Sequence, residues 1–171
     1  TVINGNCGMS AAPVDKGNKG LLNYLRPVIG DILPYVSTDT MAGYFRSLGS
    51  IALPLNCGML LGCGVVWSSV LGGEHPTEAE TKKFRKILER ELASGAMGVS
   101  LGLGYAPECF LTTDELISGL EPLRNTDIPI TFHMRQEGDG VCDAIREVIK
   151  IGETLHAHVH ISHLKAMGKR N

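Results

Sequence analysis

Residues 128–163 read IPITFHMRQEGDGVCDAIREVIKIGETLHAHVHISH. The first short apolar run, Ile128 to His133, predicts a strand. Val141, Ala144, Ile145, Val148 and Ile149 then recur at helical spacing, and Gly152 marks a stop. From Ala157 to His163 the chain returns to strand pattern, with Ala157, Val159, Ile161 and His163 on one face and His158, His160 and Ser162 on the other. Strand, helix and strand in so short a span predict a parallel pair with the helix packed on it. Both strands close on a histidine.

The pattern repeats upstream. Thr112 with Glu115 three residues on has the spacing of a capping box, and Leu116, Ile117, Leu120 and Leu123 make the core face of the helix it opens. Met97 to Leu101 reads as a strand. Pro76 is expected to open the clearest helix, with Ala79, Phe84, Ile87, Leu88 and Leu92 facing inward and Gly95 as its stop. Gly62-Cys63-Gly64 reads as a turn after a strand spanning Ile51 to Leu61. Thr38 to Leu48 predicts a short helix through Met41, Tyr44, Phe45 and Leu48, and a further helical stretch carries Leu21, Leu22, Leu25 and Ile29. A Gly-, Asn- and Pro-rich loop from Gly8 to Gly20 separates that stretch from the first strand, Thr1 to Asn6. The fold class is therefore α/β, a parallel sheet with flanking helices. It is either an open doubly wound sheet or part of a (β/α)8 TIM barrel. Five strands in 171 residues do not close such a barrel, which takes roughly 250 residues. The chain ends at Lys169-Arg170-Asn171, just after a strand, which reads as an interrupted barrel.

Composition narrows the function classes. An apolar content of 43% suits one domain with a real core. A net charge of −2 gives no electrostatic reason to expect nucleic acid or an anionic membrane. No apolar run approaches the ~18–20 residues that span a bilayer. No basic stretch with an apolar core opens the chain, so no signal peptide is visible. Five cysteines in such a sequence point to reduced, cytoplasmic thiols rather than a disulfide framework.

Three strand ends could carry chemistry. Cys7 lies between Gly5-Asn6 and Gly8, where the backbone must turn and a ligand could approach. Cys57, Cys63, Cys109 and Cys142 lack that setting. His133 is followed by Met134-Arg135-Gln136-Glu137, a cation and a carboxylate that suggest a pocket around it. His163 stands at a strand mouth with Lys165 just beyond. The His158-Val159-His160 pair sits inside its strand and is set aside, and His75 before Pro76 reads as a surface residue. Mixed imidazole and thiolate ligands suit a borderline-soft ion such as zinc. Strand ends that contribute one ligand each are how a parallel barrel builds a site on one face.

Four stretches in order, Gly5–Pro13 (GNCGMSAAP), Gly95–Pro107 (GAMGVSLGLGYAP), His133–Glu137 (HMRQE) and Ile161–Lys165 (ISHLK), resemble the N-acyl-D-amino-acid deacylases (D-aminoacylases) of the amidohydrolase superfamily. The resemblance covers almost the whole chain. It implies a partial metal-dependent amidohydrolase barrel over residues 1–171, about strands 2 to 6, with a Zn2+ held by Cys7, His133 and His163. Cys7 would stand in for the carboxylated lysine of many relatives. Gly98-Val99-Ser100-Leu101 accordingly offers no lysine. The resemblance implies that Tyr105, Arg135 and Lys165 line the substrate pocket, where they would hold the carboxylate or acyl oxygen of an N-acyl amino acid. The family's first-strand His-x-His would lie before Thr1 and its catalytic aspartate beyond Asn171, so the fragment alone is expected to be a poor catalyst. Its usual Gly-His-Gly is here Gly62-Cys63-Gly64, and a usual arginine is Trp67. A dihydroorotase- or hydantoinase-like cyclic amidase and a non-catalytic metal-binding remnant are the alternatives.

Overall fold

The computed structural model describes residues 1–32 and 34–168. The expected break at Lys169–Asn171 lies outside them. Among the described residues, six short strands and six α-helices follow in the order β1 (Val2–Asn4), α1 (Lys19–Ile29), α2 (Met41–Gly49), β2 (Cys57–Met59), β3 (Leu61–Gly62), α3 (Cys63–Val70), α4 (Glu78–Ala93), β4 (Val99–Gly102), α5 (Thr113–Gly119), β5 (Ile130–His133), α6 (Val141–Leu155) and β6 (Val159–Ile161). Every pairing is parallel. β1 pairs with β2, and β3-β4-β5-β6 run side by side. β2 and β3 are one path interrupted at Leu60. The Leu60 amide bonds to the Asn4 carbonyl on one side and the Leu61 amide to the Gly98 carbonyl on the other. Alternate residues of an extended chain address opposite neighbours, so the five expected strands form one layer. This is the partial (β/α)8 arrangement.

Two helices start on side-chain caps. Thr77 and Thr112 each close a capping box, with Glu80 and Glu115 respectively. Pro76 therefore precedes the cap instead of opening α4, which differs from the expectation by two residues. Phe84 and Leu88 are buried as expected, whereas Ala79 is exposed. Glu91 is buried instead, where its carboxylate accepts the Met41 amide at the start of α2 and pairs with Arg90. α6 runs to Leu155, three residues beyond Gly152, and stops at His156 in the left-handed region. Gly152 lies within the helix, and a Cβ there would meet Val159 at 2.9 Å, so the glycine lets α6 pack closely on β6.

Two sequence readings are corrected. Residues 51–56 are not strand; Pro54 sits among them, and Ile51, Leu53 and Leu55 are exposed. Gly62-Cys63-Gly64 is not a turn but the entry to α3. That helix buries Cys63, Val65, Val66, Trp67 and Val70 and exposes Ser68 and Ser69, and Trp67 stacks on Phe84 with ring centroids 3.9 Å apart. Trp67 is thus part of the core. Ile130, Phe132, Val99 and Leu101 fill the middle of the layer, each fully buried side chain contributing about 1.5–3 kcal/mol. Among the described residues no helix is long and apolar enough to cross a membrane.

Candidate metal centre

Parallel strands point their C-terminal ends to one rim. Cys7 follows β1, His133 ends β5 and His163 lies two residues past β6, so all three reach that rim. Their ligand atoms lie within 4.8 Å of one another. Cys7 Sγ is 3.4 Å from His163 Nε2, and His133 Nδ1 is 3.0 Å from the same nitrogen. A tetrahedral zinc with Zn–S of about 2.3 Å and Zn–N of about 2.0–2.1 Å spaces two nitrogens about 3.4 Å apart, and sulfur and nitrogen about 3.6 Å. The donor set and its spacing fit such an ion.

The local backbone is arranged to present these groups. Cys7 has φ 58° and His163 φ 40°, both in the left-handed region that costs a non-glycine residue and recurs at functional sites. Gly5 and Gly8 flank Cys7 with positive φ as well. Ser100, buried in β4, accepts the Gly8 amide at 3.1 Å and donates to the Gly5 carbonyl, gripping the Cys7 turn from both sides.

Glu137 ties the imidazoles together from behind. Its Oε1 is 3.1 Å from His163 Nδ1, 4.0 Å from His133 Nε2 and 2.5 Å from Lys165 Nζ. A carboxylate on the far nitrogen is the usual way a metal-binding imidazole is fixed in tautomer and orientation. The Lys165 hydrogen bond holds the Glu137 carboxyl below the usual range. Burial lowers His133 and so favours its neutral, ligating form. Burial, with Glu137 adding to it, pushes the Cys7 thiol up.

The three expected pocket residues differ in what they touch. Tyr105 packs on His133 with ring centroids 4.6 Å apart. Lys165 stands at His163, 3.3 Å from its Nδ1, while paired with Glu137. The Arg135 guanidinium is engaged elsewhere. It pairs with both oxygens of Glu147 on α6 at 3.0 Å and donates to the carbonyls of Cys109 and Leu111. It would have to release Glu147 to reach a substrate. Away from the cluster, exposed His158 lies 3.7 Å from Asp127 and His75 pairs with Glu115.

Sequence reasoning missed Ser100 and Glu108. Ser100 is a lone hydroxyl inside an apolar strand, a pattern that could have been noticed. Glu108 is a single acid opening a one-turn 3-10 helix, Glu108–Phe110, and no local pattern signals its burial.

No family model matches the chain. Its sequence is 32% identical over 176 residues to a D-aminoacylase of Alcaligenes xylosoxydans xylosoxydans, using 100% of this chain and 35% of the relative. It superposes on a crystal structure of a D-aminoacylase that defines a novel subset of amidohydrolases, with TM-score 0.83 and 30% identity, over 99% of this chain and 35% of that one. The chain is similar over its whole length to one stretch of the D-aminoacylases. It spans about a third of the length of the relatives it matches. Another solved relative, 28% identical with TM-score 0.83 over 99% of this chain and 35% of that one, is the N-acyl-D-glutamate deacylase of Bordetella bronchiseptica complexed with zinc and a phosphonate inhibitor. The family therefore includes enzymes named for different N-acyl-D-amino acids.

Proposed function

We propose that residues 1–171 form part of a metal-dependent amidohydrolase that hydrolyses the amide bond of N-acyl-D-amino acids, with zinc held by Cys7, His133 and His163. The observation that carries this reading is the convergence of one sulfur and two imidazole nitrogens from three strand ends. Held by Cys7, His133 and His163, zinc would supply Lewis-acid polarisation of the scissile carbonyl and a water acidified to a pKa of about 7. The chain's own residues would do the rest of the local work. Glu137 keeps the proton on His163 Nδ1 and leaves Nε2 free to ligate. Tyr105, packed on His133, would donate to an acyl oxygen, and Lys165, on leaving Glu137, would hold the substrate carboxylate. Arg135 would join it only on leaving Glu147. Five free cysteines favour a reducing, cytoplasmic setting.

Among the described residues no other acid joins the three ligand atoms, and Glu137 meets the imidazoles from the far side. The 171-residue chain by itself is therefore expected to deacylate poorly, with the aspartate that the resemblance places beyond Asn171 supplying the general base in the whole enzyme. Metal analysis tests the site directly. The wild-type chain should carry one zinc, and Cys7→Ser should lose it; a chain that takes up no zinc overturns the reading.

A further inference from the structure

Glu108 lies deep beneath the cluster and is 1% exposed. Its Oε2 accepts the Gly102 amide at 2.8 Å. Three glycines from distant parts of the chain crowd this one carboxyl. A Cβ on Gly8 would collide with Glu108 Oε2, and a Cβ on Gly64 would come within 2.9 Å of it. Gly102 is the third, and it is also where two of the proposed ligands meet. Its Cα is the register partner of His133, and a Cβ on it would collide with the Cys7 carbonyl. The loop then closes on itself, since the Tyr105 amide bonds to the Gly102 carbonyl at 2.9 Å.

A buried carboxyl is an expensive way to fill space that an apolar side chain would fill more cheaply. Among the described residues Glu108 makes no ion pair within 4 Å, and its buried Oε1 has no hydrogen-bond partner. What the carboxyl supplies is an acceptor for an amide that the strand ladder does not satisfy. We infer that Glu108 is a positioning residue for the metal centre, holding Gly102 as the common seat of the Cys7 and His133 backbones. This inference rests on the proposed ligand set. Burial raises the Glu108 pKa to about 8, so near neutral pH it serves as a neutral acid that still accepts through Oε2.

Cobalt(II) titration of the metal-free chain tests it, read by the thiolate-to-cobalt charge-transfer band and the dissociation constant. Glu108→Gln retains an acceptor and should match wild type in both. Glu108→Leu fills the space without one and should weaken cobalt binding about 10–100-fold with a diminished band, while the far-UV spectrum stays wild-type. Wild-type binding and band in the Leu variant overturn the inference, as does a Gln variant as weak as Leu. Should the Leu variant fail to fold, exchange of the Gly102 amide decides: protection in wild type and the Gln variant is expected, and rapid exchange in wild type overturns the inference. A wild-type chain with no charge-transfer band removes the ligand set itself, a failure distinct from a change confined to the Leu variant.

Discussion

Glu137 is the side chain on which both imidazoles lean. It touches the far nitrogen of His163 and balances Lys165. Glu137→Gln should leave the fold intact and raise the zinc dissociation constant about 10–100-fold, measured by competition with a chromophoric chelator; unchanged affinity would show that His163 is oriented without it. Glu108 yields a prediction about pH. Its folded pKa of about 8 lies above the ~4.3 of a solvated glutamate, so the folded chain binds more protons than the unfolded chain between those values. Stability relative to a neutral side chain is thus full below about pH 4 and is lost as pH rises through 8. Arg135 favours the anion but does not reverse the shift, and Cys63 faces Glu108 with its own thiol pushed up by burial. In urea unfolding, Glu108→Gln should gain on wild type from pH 5 up to about pH 8 and level off above it; a difference that does not change with pH would mean the carboxyl is ionised in the fold.

The elements show what the sequence could and could not disclose. Thr112 and Glu115 announced α5 because a capping box is a local device, legible wherever its two residues stand three apart. Thr112→Ala should cost about 1 kcal/mol in denaturant unfolding. The strands around His133 and His163 were legible because an apolar run and a helical period alternate there. α3 was not legible. Of its residues, Cys63, Val65, Val66, Trp67 and Val70 are buried and only Gly64, Ser68 and Ser69 reach the surface, so no charged face marks the helical period, and two glycines mimic a turn. Glu91 was hidden for a related reason. Its partner, the Met41 amide, lies 50 residues away, and periodicity carries no information about such a bond. The Trp67–Phe84 stack joins α3 to α4, and Phe84→Ala should destabilise the chain by about 3–5 kcal/mol. A loss under 1 kcal/mol would mean the stack is not a fixed part of the core.

Across the whole molecule, parallel topology turns separate strand ends into one site. Cys7, His133 and His163 are 126 and 30 residues apart in sequence, and the common direction of β1, β5 and β6 brings them to one rim. That direction was readable from strand–helix alternation. The distances at the rim were not, because they depend on the left-handed turns at Cys7 and His163 and on contacts with Ser100 and Gly102. A site that forms only in the folded chain couples zinc to stability, so saturating zinc should raise the thermal midpoint of wild type and not that of Cys7→Ser. X-ray absorption at the zinc edge of the loaded chain tests the central claim most directly. One sulfur at about 2.3 Å together with nitrogen ligands at about 2.0–2.1 Å is the expected first coordination sphere. A sphere of nitrogen and oxygen alone, with no sulfur, would contradict it.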